Sequence, residues 1–189
     1  MLTMSTSPYH HGDLRRTLVE TGIGRLRAAG VDGLTLRGVA RLAGVSATAP
    51  YRHFADKEAL LAAIAAEGFE RLRVAVEAAD ASSRGMEALR AQGVAYVRFA
   101  REEPALFRLM FGAAVARGSL SAGAAFGVLR ARITSLVPTD RAEIAALSAW
   151  SMVHGLASLL IDGRIDPPDP EALVRAVLAQ FALGGAQLR

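Results

Sequence analysis

The amino-acid sequence predicts an all-α protein of about nine helices. The composition is 52% hydrophobic but only 6% aromatic, and its abundant alanine, leucine and arginine rank high in helix propensity. The apolar residues nowhere alternate with the period of two that half-buried strands show. Side chains that cap helices recur along the chain, just before apolar segments with helical spacing. Together these three observations favour helices and leave no segment typical of a sheet.

The first two predicted helices are bounded by capping residues and glycines. The first begins at Asp13, whose side chain can cap it, and ends near Gly30. The second runs from Leu36 to Ala43, with Thr35 as its cap and Gly44 as its end. The apolar face of this second helix consists of Leu36, Val39, Ala40 and Leu42.

A further cap, Ser46, predicts a third helix that begins at Ala47, directly after the glycine turn. Two short helices joined so tightly must cross steeply, which is helix-turn-helix geometry. In such a pair the second helix normally lies in the DNA major groove. The outward residues of this helix are then Thr48, Tyr51, Arg52 and, beside Phe54, His53.

Pro50 lies inside this third helix, where a proline ordinarily removes a hydrogen bond. With Ser46 as the cap, Pro50 is among the first four helical residues, whose N–H groups have no acceptor within the helix. The cost then falls on Ala49, because a following proline disfavours helical backbone angles. The sequence therefore predicts that the helix persists with a distorted first turn.

The remaining elements are also predicted to be helical. Asp56 can cap a longer helix that extends to about Ala81. The later segments are a helix from about Gly85 to Glu103, a short apolar helix beginning at Pro104, a glycine-rich loop or helix start over 112–123, a helix to about Val137, a long apolar helix capped by Asp140 and Glu143, and a last helix from Pro170 to about Leu183.

The net positive charge lies entirely in the first third of the chain. Residues 1–57 hold seven Arg and one Lys against four acids, which gives +4, whereas residues 58–189 hold fourteen Arg and fourteen acids. A basic segment joined to a neutral one is typical of an anion-binding module on a second domain. The absence of cysteine excludes disulfides and thiolate metal sites. We find no signal peptide or membrane span in the sequence and expect a cytoplasmic protein.

No catalytic residue, metal site or cofactor site is predicted. The sequence lacks a nucleophile elbow, a phosphate-binding glycine loop and a pair of metal ligands at helical spacing. His10 and His11 fall in an N-terminal arm and His53 in the helix-turn-helix, which leaves His154 without a partner for catalysis. We therefore expect a protein that is not an enzyme and that holds no cofactor.

Trp150 and His154 are four residues apart, so they lie on one face of the long apolar helix. Aromatic and methionine side chains on neighbouring helices are candidate walls of a cavity beside this face. The alternative is that these side chains, His154 included, only fill the core. The candidate ligand-binding residues are Tyr96, Phe99, Phe107, Met110, Trp150 and His154, with Phe111 and Met152 as further candidate walls.

The segment Thr35 to Leu60 resembles the DNA-binding part of TetR-family transcriptional regulators. It matches the pattern T-x-R-x-x-A-x-x-A-G-V-S-x-x-x-x-Y-x-H-F-x-x-K-x-x-L. The opening "YHHGDLR" and the later "AWSMVHGLASLLIDGR" are similar to a subgroup whose ligand domain carries a Trp–His–Gly signature. The resemblance implies a three-helix DNA-binding domain over residues 1–56, a connecting helix over 57–81 and an effector-binding and dimerisation domain over 82–189.

The resemblance also implies roles in DNA binding. Thr35 would touch a phosphate, Arg37 would lie at a base-reading position, and Lys57 would bind a phosphate. The other implied DNA-binding positions are Ser46 and Ala47, with Thr48 and Tyr51 facing the groove and Arg52 and His53 toward the backbone. Because Ala47 and Ala49 cannot hydrogen-bond a base edge, we expect Arg37 to carry much of the direct readout, bidentate to a guanine.

The sequence thus predicts a repressor that a small, largely apolar effector releases from a palindromic DNA operator. A homodimer through the last two helices is expected, because one short recognition helix contacts too few base pairs. Two other functions stay open: a helical small-molecule carrier or enzyme with an incidental basic N-terminus, and an activator or effector-blind regulator. Tyr51 could instead pack on the preceding helix, and His53 could be a partly buried spacer.

Overall fold

The computed structural model of the protein describes residues 11–112 and 120–180, with side chains over 14–112 and 123–180. Within these ranges the chain forms eight α-helices, one 3₁₀ helix and no strand, which confirms the all-α prediction. The helices are α1 (His11–Ala29), α2 (Leu36–Leu42), a 3₁₀ helix (Ala49–Arg52), α3 (Lys57–Ala81), α4 (Gly85–Glu102), α5 (Pro104–Phe111), α6 (Leu120–Thr134), α7 (Thr139–Ile161) and α8 (Pro170–Ala179).

The helices fold into two compact units, Met1–Ala65 and Ala66–Arg189. The limit between the units falls inside α3, so one continuous helix contributes residues to both. The domain limits after residues 56 and 81 stay a prediction.

The core of the first unit lies among α1, α2 and the start of α3. α2 packs against α1 and against the 3₁₀ helix. Gly22 lets α1 and α3 approach closely, because a Cβ at that position would lie only 2.6 Å from Ile64 Cδ1. The fully buried side chains of this core include Leu18, Ile23, Leu26, Leu34, Val39, Leu60 and Ile64.

Helix ends in the first unit follow the residues that the sequence singles out. Thr35 and Asp56 each accept a hydrogen bond from the backbone N–H three residues later, at 3.0 and 2.7 Å, so both predicted caps are confirmed. Gly30 and Gly44 have φ of 65° and 70°, values that a side chain with a Cβ disfavours. These glycines end α1 and α2 at the expected places.

Two other predicted caps are wrong. α1 begins at His11 rather than after Asp13, and α7 begins at Thr139, behind Pro138. Asp140 therefore lies in the first turn of α7, where an acidic charge still interacts favourably with the helix dipole. A cap and a first-turn acid look alike in a sequence, because both precede the apolar segment.

α4 is the central helix of the second unit. It packs against α5, α6, α7 and α8, and nine of its residues are buried. A helix with neighbours on so many sides needs small residues where they approach most closely. Gly93 meets this need, because a Cβ there would overlap the Leu178 side chain of α8.

α7 leaves an apolar face uncovered. Among the helices in the described ranges it alone has the length and composition that could cross a bilayer, yet only 28% of its most apolar window is buried within the chain. Large apolar side chains at Ile144, Leu147 and Leu159 are exposed, with exposed Ser151 and Gly155 between them. Within the described ranges, these side chains of α7 are not covered by another helix.

Leu36 and Leu42 are predicted to share the apolar face of α2, but Leu36 is 6% exposed and Leu42 is 56% exposed. We expect Leu36→Ala to lower the free energy of unfolding by about 2–5 kcal/mol, because it leaves a cavity in the core. The same substitution at Leu42 is the matched control and should change it by less than about 0.5 kcal/mol. Urea unfolding followed by far-UV circular dichroism measures both, and equal losses would contradict the placement of Leu42.

Candidate functional site

The candidate DNA-binding surface comprises Thr35, Arg37, Ser46, Ala47, Thr48, Tyr51, Arg52, His53 and Lys57, all in the first unit. Thr35 has an extended backbone (φ −137°, ψ 150°) and uses its hydroxyl to cap α2. This cap fixes the first turn of α2, from which the exposed Arg37 side chain extends.

The turn after α2 is closed by backbone hydrogen bonds. The Val45 N–H donates to the Ala40 carbonyl at 3.0 Å, and the Ala49 N–H donates to the Ser46 carbonyl at 3.0 Å. Exposed Ser46 and Thr48 place their hydroxyl oxygens 3.3 Å apart, so one hydroxyl donates to the other. Ser46 therefore shapes the turn through its own backbone and its neighbour.

The recognition segment is a 3₁₀ helix of four residues rather than the predicted α-helix from Ala47. It begins at Ala49 with Thr48 as N-cap, and neither Thr48 nor Ser46 makes a side-chain cap hydrogen bond to it. The prediction that Ser46 caps this helix is wrong. Pro50 explains the difference, because it has no N–H to donate and disfavours helical angles at the preceding residue.

The recognition segment turns its polar side chains outward. Thr48 and Arg52 are exposed, Tyr51 is 50% exposed, and Pro50 is buried beneath them. The segment is anchored at its far end by Phe54, which is buried and lies under the Arg15 guanidinium at 5.4 Å. Tyr51 of this segment and its N-cap Thr48, both predicted to face the groove, are thus exposed next to the buried Pro50.

The first turn of α3 completes this surface. His53 is half-buried, with its ring centroid 6.4 Å from that of Phe54. Lys57 is the first residue of α3, behind the cap Asp56. A helix N-terminus with a lysine attracts phosphate through both its free N–H groups and the ammonium charge.

The second unit contains an apolar cavity beside α4. Its volume is about 40 Å³. Ligand sites commonly span about 300–1,000 Å³, so the walls of this narrow cavity must move apart before it admits an effector-sized molecule. It is lined by Phe69, Leu72, Val76, Leu89, Gln92, Gly93, Tyr96, Phe111, Ala125, Phe126, Leu129, Ala149, Trp150, Val153 and Leu178.

The structure brings two of the six predicted ligand-binding residues, Tyr96 and Trp150, to this cavity. Phe107 and Met110 do not line it, because the face of α5 that carries them is buried in the core. Phe99 lines a different surface groove, between α3 and α4. His154 also lies off the wall, one turn along α7 from Trp150.

His154 supports the cavity wall through Tyr96. The Tyr96 hydroxyl and His154 Nδ1 are 2.8 Å apart, and Trp150 Nε1–H donates to the Tyr96 hydroxyl at 3.4 Å. Rings of Phe107 and Phe111 pack on His154, with centroids 5.4 and 4.7 Å away. Burial among these groups lowers the pKa of His154 and raises the pKa of Tyr96. Nδ1 of a neutral imidazole accepts a hydrogen bond from the Tyr96 hydroxyl, so the two side chains hold each other in place.

Sequence reasoning missed Gln92, which lines the cavity and is 4% exposed. Its amide nitrogen donates to Asp80 Oδ1 at 2.6 Å, and Arg132 donates to both oxygens of the same carboxylate at 2.7 Å each. The signal was available: Gln92 lies three residues after Leu89 and four before Tyr96, which places a lone amide on the apolar face of α4.

Comparison with known protein families gives two matches that together cover most of the chain. Residues 19–64 match the family of bacterial regulatory proteins of the tetR type, and residues 89–181 match the tetracyclin repressor-like C-terminal domain. The chain belongs to the TetR family. As a TetR-family member it is a DNA-binding transcriptional regulator. The Trp–His–Gly subgroup stays a prediction.

Solved structures share this TetR fold. A protein of unknown function from Rhodococcus sp. RHA1 is 36% identical, covers 93% of this chain and 96% of its own, and has a TM-score of 0.80. The TetR-family transcriptional regulator PfmR from Thermus thermophilus is 21% identical over 87% of this chain and 96% of its own, with a TM-score of 0.65. A search of curated proteins gave no match.

The family assignment sets the broad properties of the chain. TetR-family proteins are regulators rather than enzymes, and they are soluble cytoplasmic proteins that bind DNA and ligands and form dimers.

We expect acidification to destabilise the second unit through His154. Its folded pKa is lowered by burial, so the unfolded chain binds more protons below its own pKa of about 6.5. The contribution of His154 to the free energy of unfolding is therefore fully present above that value. It is lost as the pH drops toward the lowered folded pKa. Urea unfolding followed by Trp150 fluorescence at about pH 7.5 and about pH 5.5 measures the loss.

His154→Gln keeps a hydrogen-bonding group near Tyr96 but cannot titrate, so it should lose less stability on acidification than the wild type. His53→Gln, in the first unit, is the control and should behave as the wild type does. An equal acid-induced loss in wild type and His154→Gln would show that His154 does not cause the pH dependence.

Proposed function

We propose that this TetR-family chain is a repressor that a small, largely apolar effector releases from a palindromic operator. The observation that carries the proposal is the apolar cavity in the second unit of a chain whose first unit presents an exposed helix-turn-helix surface. Both features belong to one polypeptide, and α3 contributes residues to each unit. A DNA-binding surface and a ligand cavity together suit a ligand-responsive regulator.

Arg37 is proposed to read the operator directly. Its guanidinium can bind guanine O6 and N7 together, which is the commonest specific contact in the major groove. The recognition segment and the turn before it provide fewer hydrogen-bonding groups. Ala47 and Ala49 carry only methyl groups, which suit thymine methyls. Thr48 and Tyr51 add hydroxyl groups on the groove side.

Phosphate contacts are proposed for the flanking side chains. Thr35, Arg52, His53 and Lys57 carry hydroxyl or basic groups, and such groups fix the position of a protein on DNA without reading its sequence. Because each bound cation releases counterions from DNA, the affinity should fall steeply with salt.

Release by an effector requires unequal affinity for two conformers of the dimer. An effector that binds more tightly when the two recognition segments are wrongly spaced for the operator shifts the population to that conformer. α3 contributes Phe69, Leu72 and Val76 to the cavity wall, and Lys57 of the DNA-binding surface is its first residue. An occupant of the cavity therefore touches the helix that begins at the DNA-binding surface.

The dimer is proposed to form through α7 and α8. The uncovered α7 face places small Ser151 and Gly155 between exposed Leu147 and Leu159, which lets a second helix approach closely. An isologous interface uses the same patch on both copies, and palindromic DNA requires such two-fold pairing. The apolar face of α7 is thus assigned to a second copy rather than to a lipid bilayer.

Arg37→Ala should weaken binding to the operator about tenfold or more and relax the preference at one base pair of each half-site. Electrophoretic shift against the DNA upstream of the protein's own gene, in a salt series, measures both effects. Lys57→Ala should instead weaken binding to all sequences and lower the salt dependence.

Arg101→Ala removes the same charge from an exposed position in the second unit and is the matched control. Unchanged affinity and sequence preference in Arg37→Ala would refute the direct readout by Arg37. The absence of any sequence-specific shift by the wild-type protein would favour a carrier instead.

The double substitution Leu147→Glu with Leu159→Glu should convert the dimer to a monomer, because it buries four carboxylates across a two-fold interface. Light scattering coupled to size-exclusion chromatography measures the mass. Val74→Glu changes an exposed apolar residue on α3 in the same way and should leave the dimer intact. A dimeric double variant would place the interface elsewhere.

A further inference from the structure

Gln92 is the one polar or charged side chain among the buried residues of the described chain. It projects from α4, the central helix of the second unit, and lines the apolar cavity. A buried amide is costly unless its donors and acceptors are satisfied. The orientation of this amide therefore determines what the cavity can bind.

Asp80 fixes that orientation. The hydrogen bonds from Arg132 and Gln92 hold the pKa of the Asp80 carboxyl below its ordinary value, so the group is a carboxylate that only accepts hydrogen bonds. The amide group that faces it must be the Nε2 donor, at 2.6 Å. Gln92 Oε1 then points away from Asp80, because the side-chain hydrogen bond that Gln92 makes to Asp80 uses Nε2.

The other polar groups on the cavity wall are already engaged. The Tyr96 hydroxyl is within hydrogen-bond distance of His154 Nδ1, and Trp150 Nε1–H donates to the same hydroxyl. Gln92 Oε1 is then the acceptor on the wall with the most capacity left for a hydrogen bond from an occupant.

The cavity offers no compensation for a charged occupant. None of the described residues that line it is charged. The nearby Asp80 and Arg132 neutralise each other in a two-point ion pair, with both distances at 2.7 Å. A carboxylate or an ammonium group would lose its hydration here without gaining a counter-ion, which is strongly unfavourable.

We infer that the cavity selects an uncharged, largely apolar molecule whose hydroxyl or N–H group donates a hydrogen bond to Gln92 Oε1. This inference rests on the proposed function for the identification of the cavity as the effector site. Asp80 and Arg132 act as positioning residues, because they set the direction of the Gln92 amide without touching the occupant. The same ion pair connects α3 with α6 across the amide of α4.

Four eight-carbon probes test which class of molecule the cavity binds: 1-octanol, 1-methoxyheptane, octanoate and octylammonium. None absorbs near the tryptophan band, and Trp150 on the cavity wall is the only tryptophan of the chain. Its fluorescence therefore reports occupancy directly, with no DNA present. Octanol should bind on the order of tenfold more tightly than each of the other three at neutral pH.

The comparison of octanol with the ether is the stringent one. The two molecules have the same number of heavy atoms, but the ether lacks a donor and is the more hydrophobic. Burial of apolar surface alone would therefore favour the ether. A preference for octanol isolates the hydrogen bond to Gln92.

Gln92→Leu removes the acceptor and keeps a side chain of similar size, so its preference for octanol over the ether should vanish or reverse. Gln180→Leu makes the same change at the exposed C-cap of α8 and should keep the wild-type order. Far-UV circular dichroism verifies that both variants fold. The wild-type ranking of the four probes decides the question even if Gln92→Leu does not fold.

Tight binding of octanoate, octylammonium or the ether to the wild type, or no response to octanol, would overturn the inference. So would an unchanged preference in a folded Gln92→Leu protein. These outcomes are independent of DNA binding: a normal operator shift with the wrong probe order rejects only the ligand class. The right probe order without an operator shift rejects only the proposed repressor function.

Discussion

Burial of α4 on most of its surface is the constraint on which the second unit depends. Four helices pack against it, so its residues must be small where a neighbour approaches and apolar elsewhere. Gly93 admits Leu178 of α8, and Leu89 joins Ile133 and Ala146 in the cluster with α6 and α7. Because α4 is so enclosed, any polar side chain on its buried face must find a partner inside the protein, and this is what gives Gln92 its fixed orientation.

Several helix ends of the first unit are predicted correctly from the sequence, because local side chains decide them. Thr35 and Asp56 cap their helices with their own side chains, and Gly44 ends α2 through its backbone. The sequence does not predict the 3₁₀ form of the recognition segment. The missing N–H of Pro50 indicates where an α-helix becomes unfavourable, but not how the backbone responds. Whether the helix begins at a later residue or distorts its first turn depends on how the recognition segment packs against α2.

The cavity was predicted less well, because its walls come from helices whose rotation depends on their neighbours. Tyr96 and Trp150 are cavity residues, whereas Phe107 and Met110 have the same chemical character and fill the core. Spacing tells which residues share a helix face, but it does not tell which face meets a gap. A single polar residue on an apolar helix face is more informative, because its burial is unfavourable without a hydrogen-bond partner. Gln92 is such a residue.

The backbone shape of the recognition segment and the chemistry of the exposed side chains just before it depend on different residues. Its shape comes from the ring of buried Pro50 and from backbone hydrogen bonds, while Ala47 and Thr48 are exposed and lie outside the buried core. In the proposed DNA-binding role, substitutions at these two positions would alter the chemistry offered to a base without removing core contacts. A change of target sequence through them would therefore cost little stability, since surface substitutions away from the core usually change it by less than about 0.5 kcal/mol.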